Sequence, residues 1–212
     1  MIAVSGIENV LFELANALRI PVFAAAILAL VFVVFDLGAF FVELNRRRQG
    51  GRREQVQDAT TSARQALAVN DTGAAQQALM PLAASAQMAD TLSKLVAHHG
   101  ERGADDRRAK ALADFDLGSL RKLERSRMLV RFGPALGLMG TLIPLSPALE
   151  GLASGDVAQL SDNLRAAFSV TVLGLLIGAI AFSISLVRDR LYAQDLSDLE
   201  YVVAALDPEP SR

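Results

Sequence analysis

The chain contains no cysteine, no tryptophan and only two histidines in 212 residues. Without cysteine there is neither a disulfide framework nor thiolate chemistry, so cysteine usage gives no information about the redox compartment. The two histidines, His98 and His99, are adjacent. Adjacent side chains on a helix point about 100° apart, unlike the i, i+4 pair that binds zinc. We therefore predict no metal site.

Motifs of enzymes and of cofactor sites are also missing. The sequence has no H-E-x-x-H, no P-loop, no dinucleotide fingerprint and no separated histidine to serve a serine nucleophile. We therefore predict that the protein binds no cofactor and is not an enzyme. The formal net charge is −2, and a nucleic-acid-binding protein usually carries a basic excess. Nucleic acid is therefore not expected as a partner.

Apolar residues dominate what remains, at 52% against 21% charged residues, which is too apolar for an ordinary soluble domain. Three windows approach the roughly 20 residues that cross a bilayer. Residues 21–41 are interrupted only by Asp36, and residues 132–149 and 166–187 carry no charge. A soluble bundle would require a polar face, which these windows lack. The sequence therefore predicts an all-α membrane protein with three transmembrane helices.

Lysine and arginine residues indicate the orientation, because cytoplasmic segments accumulate them beside the spans. Sixteen of the 21 lie within residues 45–131. We therefore predict a cytoplasmic (inner) membrane protein with its N-terminus outside and its C-terminus in the cytoplasm. The predicted segments are an outer amphipathic helix (1–19), a first span (20–44), a cytoplasmic helical segment (45–131), a second span (132–152), a short outer loop (153–165), a third span (166–187) and a cytoplasmic helix and tail (188–212).

Helical periodicity supports two of these segments. Near the N-terminus, apolar residues recur at helical spacing at Ile7, Val10, Leu11, Leu14 and Leu18, which predicts an amphipathic helix on the outer surface. The alternative is a simple extension of the first span. In the cytoplasmic segment, turn signals at 70–73 and 98–106 divide helices expected near 52–69, 74–97 and 106–131. Pro81 should bend or delay the second of these helices.

Glycines and prolines are unusually frequent in the later spans. Small residues let helices approach closely in lipid, and we predict this packing role for Gly133, Gly137, Gly140, Gly174 and Gly178. Such surfaces on more than one span also suggest a homo-oligomer. Two further residues, Pro144 and Pro147, lack an N–H, so they should distort the helix and leave the carbonyls of Gly140 and Ile143 without their usual donors.

Three polar residues are candidates for an ion pathway: Thr141, Thr171 and Asp36. Free carbonyls at membrane depth are tolerated where they face protein or a watery cavity, so the two threonines could line a polar path. The alternative is that each threonine bonds its own helix. Asp36 is the only acid well inside a span. It is either an ion relay or a carboxylate that reaches a basic group at the cytoplasmic rim.

The stretches "GPALGLMGT" (133–141) and "SVTVLGLLIGAIAF" (169–182) resemble the two signature spans of the MotA/TolQ/ExbB proton-channel family. The family shares a G-P-x-L-G-L-x-G-T pattern and a later T-x-x-G-L pattern, which begins here at Thr171. The resemblance implies a ring, typically of five copies, around a single-span partner of the TolR, ExbD or MotB kind whose membrane Asp is essential. The acidic residue that ExbB-like members carry five positions before this threonine is Ala166 here.

Together these features predict the channel-ring subunit of a proton- or sodium-driven motor that moves a partner helix. The alternative is a non-conducting membrane scaffold or receptor subunit whose glycines serve only packing. Neither of the uncharged windows 132–149 and 166–187 contains a carboxylate, and threonine does not titrate in a useful range. If the chain belongs to a motor, a partner must therefore supply the titrating acid.

Overall fold

The computed structural model describes residues 10, 13–47, 52–97 and 100–206. These residues contain helices and no strands, which confirms the predicted all-α fold class. A short 3₁₀ turn, Met80–Leu82, lies between the third and fourth of six helices. The helices are α1 (Arg19–Arg47), α2 (Arg52–Ala68), α3 (Thr72–Leu79), α4 (Ala86–Ala97), α5 (Ala104–Ser154) and α6 (Val157–Leu206).

Three helical stretches are long and apolar enough to cross a membrane, as the sequence predicts: Glu13–Asn45, Ala104–Ser154 and Val157–Leu206. The first begins before α1, because residues 13–17 are also helical. Backbone hydrogen bonds join Leu18 to Leu14 and Val22 to Leu18. Residues 13–18 are therefore continuous with α1. Ile7 and Leu11 lie outside the described residues.

The chain divides into two compact units. Unit 1 comprises Met1–Phe40 and Glu124–Ser185 and contains most of the apolar stretches. Its small core is formed by Val33, Ile177 and Ala181, with Leu129 and Val130 packed against them. Most other large apolar side chains of the unit remain exposed, such as Phe35 at 75% and Phe168 at 65%. A surface this apolar suits lipid or neighbouring membrane helices.

The connection between α5 and α6 is much shorter than the predicted loop 153–165, because α6 already begins at Val157. Gly155 has a φ of +76°, which glycine adopts without steric cost. The N–H of Asp156 donates to the carbonyl of Gly151, and that of Gly155 to Leu152. This pair of bonds is the Schellman motif, which satisfies the last helical carbonyls. The Asp156 carboxylate then caps α6 by accepting from the Gln159 N–H at 2.9 Å.

Unit 2 comprises Phe41–Leu123 and Leu186–Arg212. Its core gathers apolar residues that recur every three or four positions along each helix, as an amphipathic helix requires. Leu79 and Leu92 are fully buried within it, and Phe115 of α5 and Leu199 of α6 complete it. The hydrophobic effect therefore holds α2, α3 and α4 against one end each of α5 and α6.

The predicted helix 74–97 is wrong, because the chain forms two helices there. Asn70, at a φ of 58°, forms the preceding turn, and Asp71 caps α3 by accepting from the Ala74 N–H at 2.8 Å. Pro81 then does more than bend the helix. Since it has no N–H to continue the helical ladder, α3 ends at Leu79. A new helix begins only at Ala86, where the Ser85 hydroxyl accepts from the Met88 N–H.

Candidate functional site

Glycines from α5 and α6 face each other in unit 1. A Cβ placed on Gly174 would lie 2.5 Å from the Gly133 carbonyl oxygen and 2.8 Å from the Gly137 Cα, whereas real Cβ atoms essentially never approach closer than 3.0 Å. A Cβ on Gly137 would lie 3.3 Å from the Thr171 Cα. The two backbones are therefore in direct contact, which leaves no room for a Cβ at Gly174.

The same contact extends in both directions along the two helices. A Cβ on Gly140 would overlap the Val170 side chain, and one on Gly178 would lie 3.0 Å from the Pro134 ring. All five predicted packing glycines thus lie against the facing helix of the same chain. Packing within one chain accounts for them, so these glycines do not by themselves indicate a second copy.

Thr171 lies within this contact. Its hydroxyl is 3.1 Å from the Ala167 carbonyl of its own helix and 3.3 Å from the Gly137 carbonyl of α5. A hydroxyl has one hydrogen to donate, so the two acceptors share it. The Thr171 hydroxyl and the Gly137 carbonyl oxygen form a small polar spot between two apolar helices.

Thr141 lies one helical turn beyond Gly137 on α5. Its hydroxyl donates to the Leu138 carbonyl of its own helix at 2.7 Å, which is the local bond that threonine often makes. The next residues carry the two predicted helix-distorting prolines, Pro144 and Pro147, and both lie inside the uninterrupted helix α5. Neither can donate to the carbonyl one turn earlier.

Asp36 meets α5 at the other end of unit 1. The Ser126 hydroxyl donates to its carboxylate at 3.0 Å, and Ser126 itself is only 1% exposed. Ser126 belongs to the segment predicted to be cytoplasmic, six positions before the second span begins. The carboxylate therefore contacts α5 before the predicted second span, whereas Thr141 lies 15 positions further along the same helix.

A buried ionic cluster in unit 2 was missed by sequence reasoning. Arg47 donates to both carboxylate oxygens of Asp195, at 2.8 and 2.7 Å, and to Glu43 at 3.2 Å. Arg188 contacts the other oxygen of Glu43 at 3.3 Å. Two signals were available, the i, i+4 spacing of Glu43 and Arg47 and the seven-residue spacing of Arg188 and Asp195. In the sequence these arginines indicate only the orientation of the chain.

Burial and charge both act on this cluster. Burial alone would lower the pKa of Arg47, but hydrogen bonding to Asp195 and its negative charge outweigh burial, so the pKa is raised and the guanidinium keeps its charge. The pKa of Tyr192 is also raised, chiefly by burial and further by the charge of Glu43. The Arg47 Nε is buried without a hydrogen-bond partner. The cluster thus joins α1 to α6 through paired charges.

Among the described residues, no group of three or more His, Cys, Asp or Glu side chains could hold a metal ion. His98 and His99 lie outside those residues.

Three membrane-length helices, two of them in glycine contact, define a multi-pass membrane protein. The model of the MotA/TolQ/ExbB proton channel family matches residues 74–200, more than half of the chain. The chain therefore belongs to this family, whose members are associated with channels and transport and act with partner proteins in membranes. No curated protein matches the chain.

Proposed function

We propose that this chain is the channel-ring subunit of a proton- or sodium-driven motor in the inner membrane, which couples ion flow to movement of a partner helix for transport or envelope work. The carrying observation is the polar spot at Thr171, where a hydroxyl and the Gly137 carbonyl lie together between otherwise apolar helices. Thr141 lies on α5, one helical turn beyond Gly137. Family membership supports the same function.

The chain needs a partner to work in this way. Its second and third apolar windows contain no carboxylate, and hydroxyls and carbonyls do not titrate in a useful range. An Asp on a single-span partner would therefore bind and release the proton or Na⁺ beside Thr141 and Thr171. The two hydroxyls would hydrogen-bond water and the carboxyl group as its charge changes.

The membrane potential can drive such a step. One elementary charge that crosses 100 mV releases about 2.3 kcal/mol. That energy favours one contact of the partner helix over the next by about fiftyfold, since every 1.4 kcal/mol is tenfold. A homo-oligomer, five copies by analogy with the family, would offer the partner a series of equivalent contacts. The proposed orientation has the N-terminus outside and the C-terminus in the cytoplasm.

Threonine-to-valine variants test the proposal, because valine keeps the shape and removes only the hydroxyl. The complex is purified through a tag on this chain together with the partner that copurifies, and ion flux is measured in liposomes under an imposed potential. We expect Thr141→Val and Thr171→Val to lower ion-coupled flux at least about tenfold, which corresponds to about 1.4 kcal/mol. Interhelical hydrogen bonds in membranes contribute only about 0.6 kcal/mol on average, so assembly should persist.

Two controls make the result specific. Thr61→Val removes an exposed hydroxyl of α2 that bonds its own helix, and it should leave the flux unchanged. Native mass spectrometry of each variant reports the copy number, for which we expect five. Robust flux through this chain without its partner, or full flux in the Thr141→Val/Thr171→Val double variant, would contradict the mechanism.

A non-conducting scaffold is the second candidate function. It is favoured by one observation, that contacts within the chain account for every packing glycine. A scaffold would bind its partner and show no ion flux in the same liposomes, and the valine variants would then retain all partner binding and biological activity.

A further inference from the structure

A cleft of about 130 Å³ lies in unit 1 beside the proline segment of α5. It is lined by Ala15 and Asn16 before α1 and by Leu142, Ile143, Ser146 and Pro147 of α5. When volume is counted as the space open to the centres of water-sized spheres, roughly 10–15 Å³ is enough to hold one water molecule. The cleft therefore has room for several.

Polar groups of the lining residues can hydrate the cleft. Asn16 carries an amide and Ser146 a hydroxyl, and the Ile143 carbonyl has no helical donor because Pro147 lacks an N–H. A backbone carbonyl without its donor is tolerated in a membrane protein where it faces a watery cavity. All of these oxygens are neutral, so they suit water or a hydrated monovalent cation and do not store a proton.

The cleft lies at the polar end of unit 1. Arg19, one turn along the chain from Asn16, donates to the side chain of Asn163 at 3.2 Å, and Asn163 is 7% exposed. All three apolar helices thus present polar side chains at this end. Ser146 is five residues from Thr141 on the same helix, or about 7.5 Å along its axis. Leu142 and Ile143, which line the cleft, directly follow Thr141 in the chain, so the cleft reaches the level of that threonine along α5.

We propose that this cleft is the outer access site of the ion pathway, where a hydrated monovalent cation or a proton-carrying water enters on its way to Thr141. The inference rests on the proposed function and on the proposed orientation, which puts the start of α1 outside. Ser146 and the freed Ile143 carbonyl provide the oxygens that replace bulk water. Pro147 is needed because it keeps that carbonyl available.

Cysteine accessibility tests the site cleanly, because the chain has no cysteine of its own. Ser146→Cys is made in the intact complex and exposed, in right-side-out vesicles, to a membrane-impermeant trimethylammonium thiosulfonate. Only the ionised thiol in water reacts. The matched control is Leu145→Cys at the same depth, whose native side chain is 41% exposed but does not line the cleft.

We expect Ser146→Cys to react at least about tenfold faster than Leu145→Cys, because exposure to lipid does not ionise a thiol. Asn16→Cys should react as well, and it serves as the second probe if Ser146→Cys fails to assemble. Modification at either position should lower ion flux, and a reductant should restore it. Equal rates for the two adjacent cysteines, no reaction at either lining position, or reaction only from the cytoplasmic side would overturn the proposal.

Labelling of the complex requires neither ion flow nor an active partner. It can therefore fail while the threonine variants still abolish flux, in which case the access route is wrong and the motor function stands. If labelling succeeds in a complex that conducts no ions, the cleft is hydrated and the proposed motor function is wrong.

Discussion

The backbones of Gly133 and Gly174 are so close that a Cβ on Gly174 would lie 2.5 Å from the Gly133 carbonyl oxygen. This contact, which lies within one chain, joins α5 to α6 one turn from the polar spot at Thr171. The separation of these helices thus determines the geometry around the threonine.

Gly174→Ala should therefore separate the two helices and destabilise the protein by about 1–3 kcal/mol, the usual cost of overpacking. Gly38→Ala is the matched control, since that helical glycine has nothing within 4 Å of its Cβ position and alanine favours a helix. Thermal unfolding in detergent, followed by circular dichroism, measures both. A Gly174→Ala variant as stable as Gly38→Ala would contradict the packing role.

The Arg47–Asp195 pair should contribute strongly to the stability of unit 2. Their side chains are 6% and 1% exposed, and breaking one side of a buried pair usually costs about 3–5 kcal/mol because the other charge stays buried. We expect Asp195→Asn to lower the free energy of unfolding, measured with denaturant, by this amount. An Arg47→Met/Asp195→Leu double variant should lose less than the two single losses combined. Asp90→Asn breaks the exposed pair with Lys94 and should not change the unfolding midpoint.

Tyr192 should titrate above the ordinary tyrosine pKa of about 10, because burial raises its pKa. The chain has no tryptophan and only two tyrosines, so tyrosinate absorbance of Tyr201→Phe reports Tyr192 alone. Burial favours the neutral phenol in the folded state. Its contribution to stability is therefore fully present below about pH 10 and is lost as the pH rises through the folded pKa. The same variant unfolded in denaturant should titrate near the ordinary value.

Asp36 and Ser126 form a pair in which charge and hydrogen bonding can be separated. Asp36→Asn keeps an oxygen to accept from Ser126 and removes the charge, whereas Ser126→Ala keeps the charge and removes the donor. If Asp36 belongs to the ion pathway, Asp36→Asn should lower liposome flux at least about tenfold with unchanged stability. Ser126→Ala should change flux much less. Full flux in Asp36→Asn would remove this residue from the pathway.

Sequence patterns predicted the long helices better than the helix ends and the turns between them. An uncharged run such as residues 166–187 has few alternatives to a membrane helix, and the structure contains a helix there. The turns depended on single residues. Pro81 ended α3 where a bent or delayed helix was expected, and Gly155 closed the turn between α5 and α6 where a 13-residue loop was expected. Helix periodicity carries little information about such ends, since a cap or a turn is set by one or two residues.

The sequence by itself determined the composition of the three apolar windows, the glycine and threonine motifs that indicate the family, and the lack of a carboxylate in the windows 132–149 and 166–187. These are properties of local runs, which the number and order of residues decide. Only the tertiary structure decided which surfaces those residues meet. It put Gly174 against Gly133 in one chain, Asp36 beside Ser126 and Arg47 beside Asp195. Contacts between residues about 40 to 150 positions apart depend on how helices pack, and many pairings share the same local pattern.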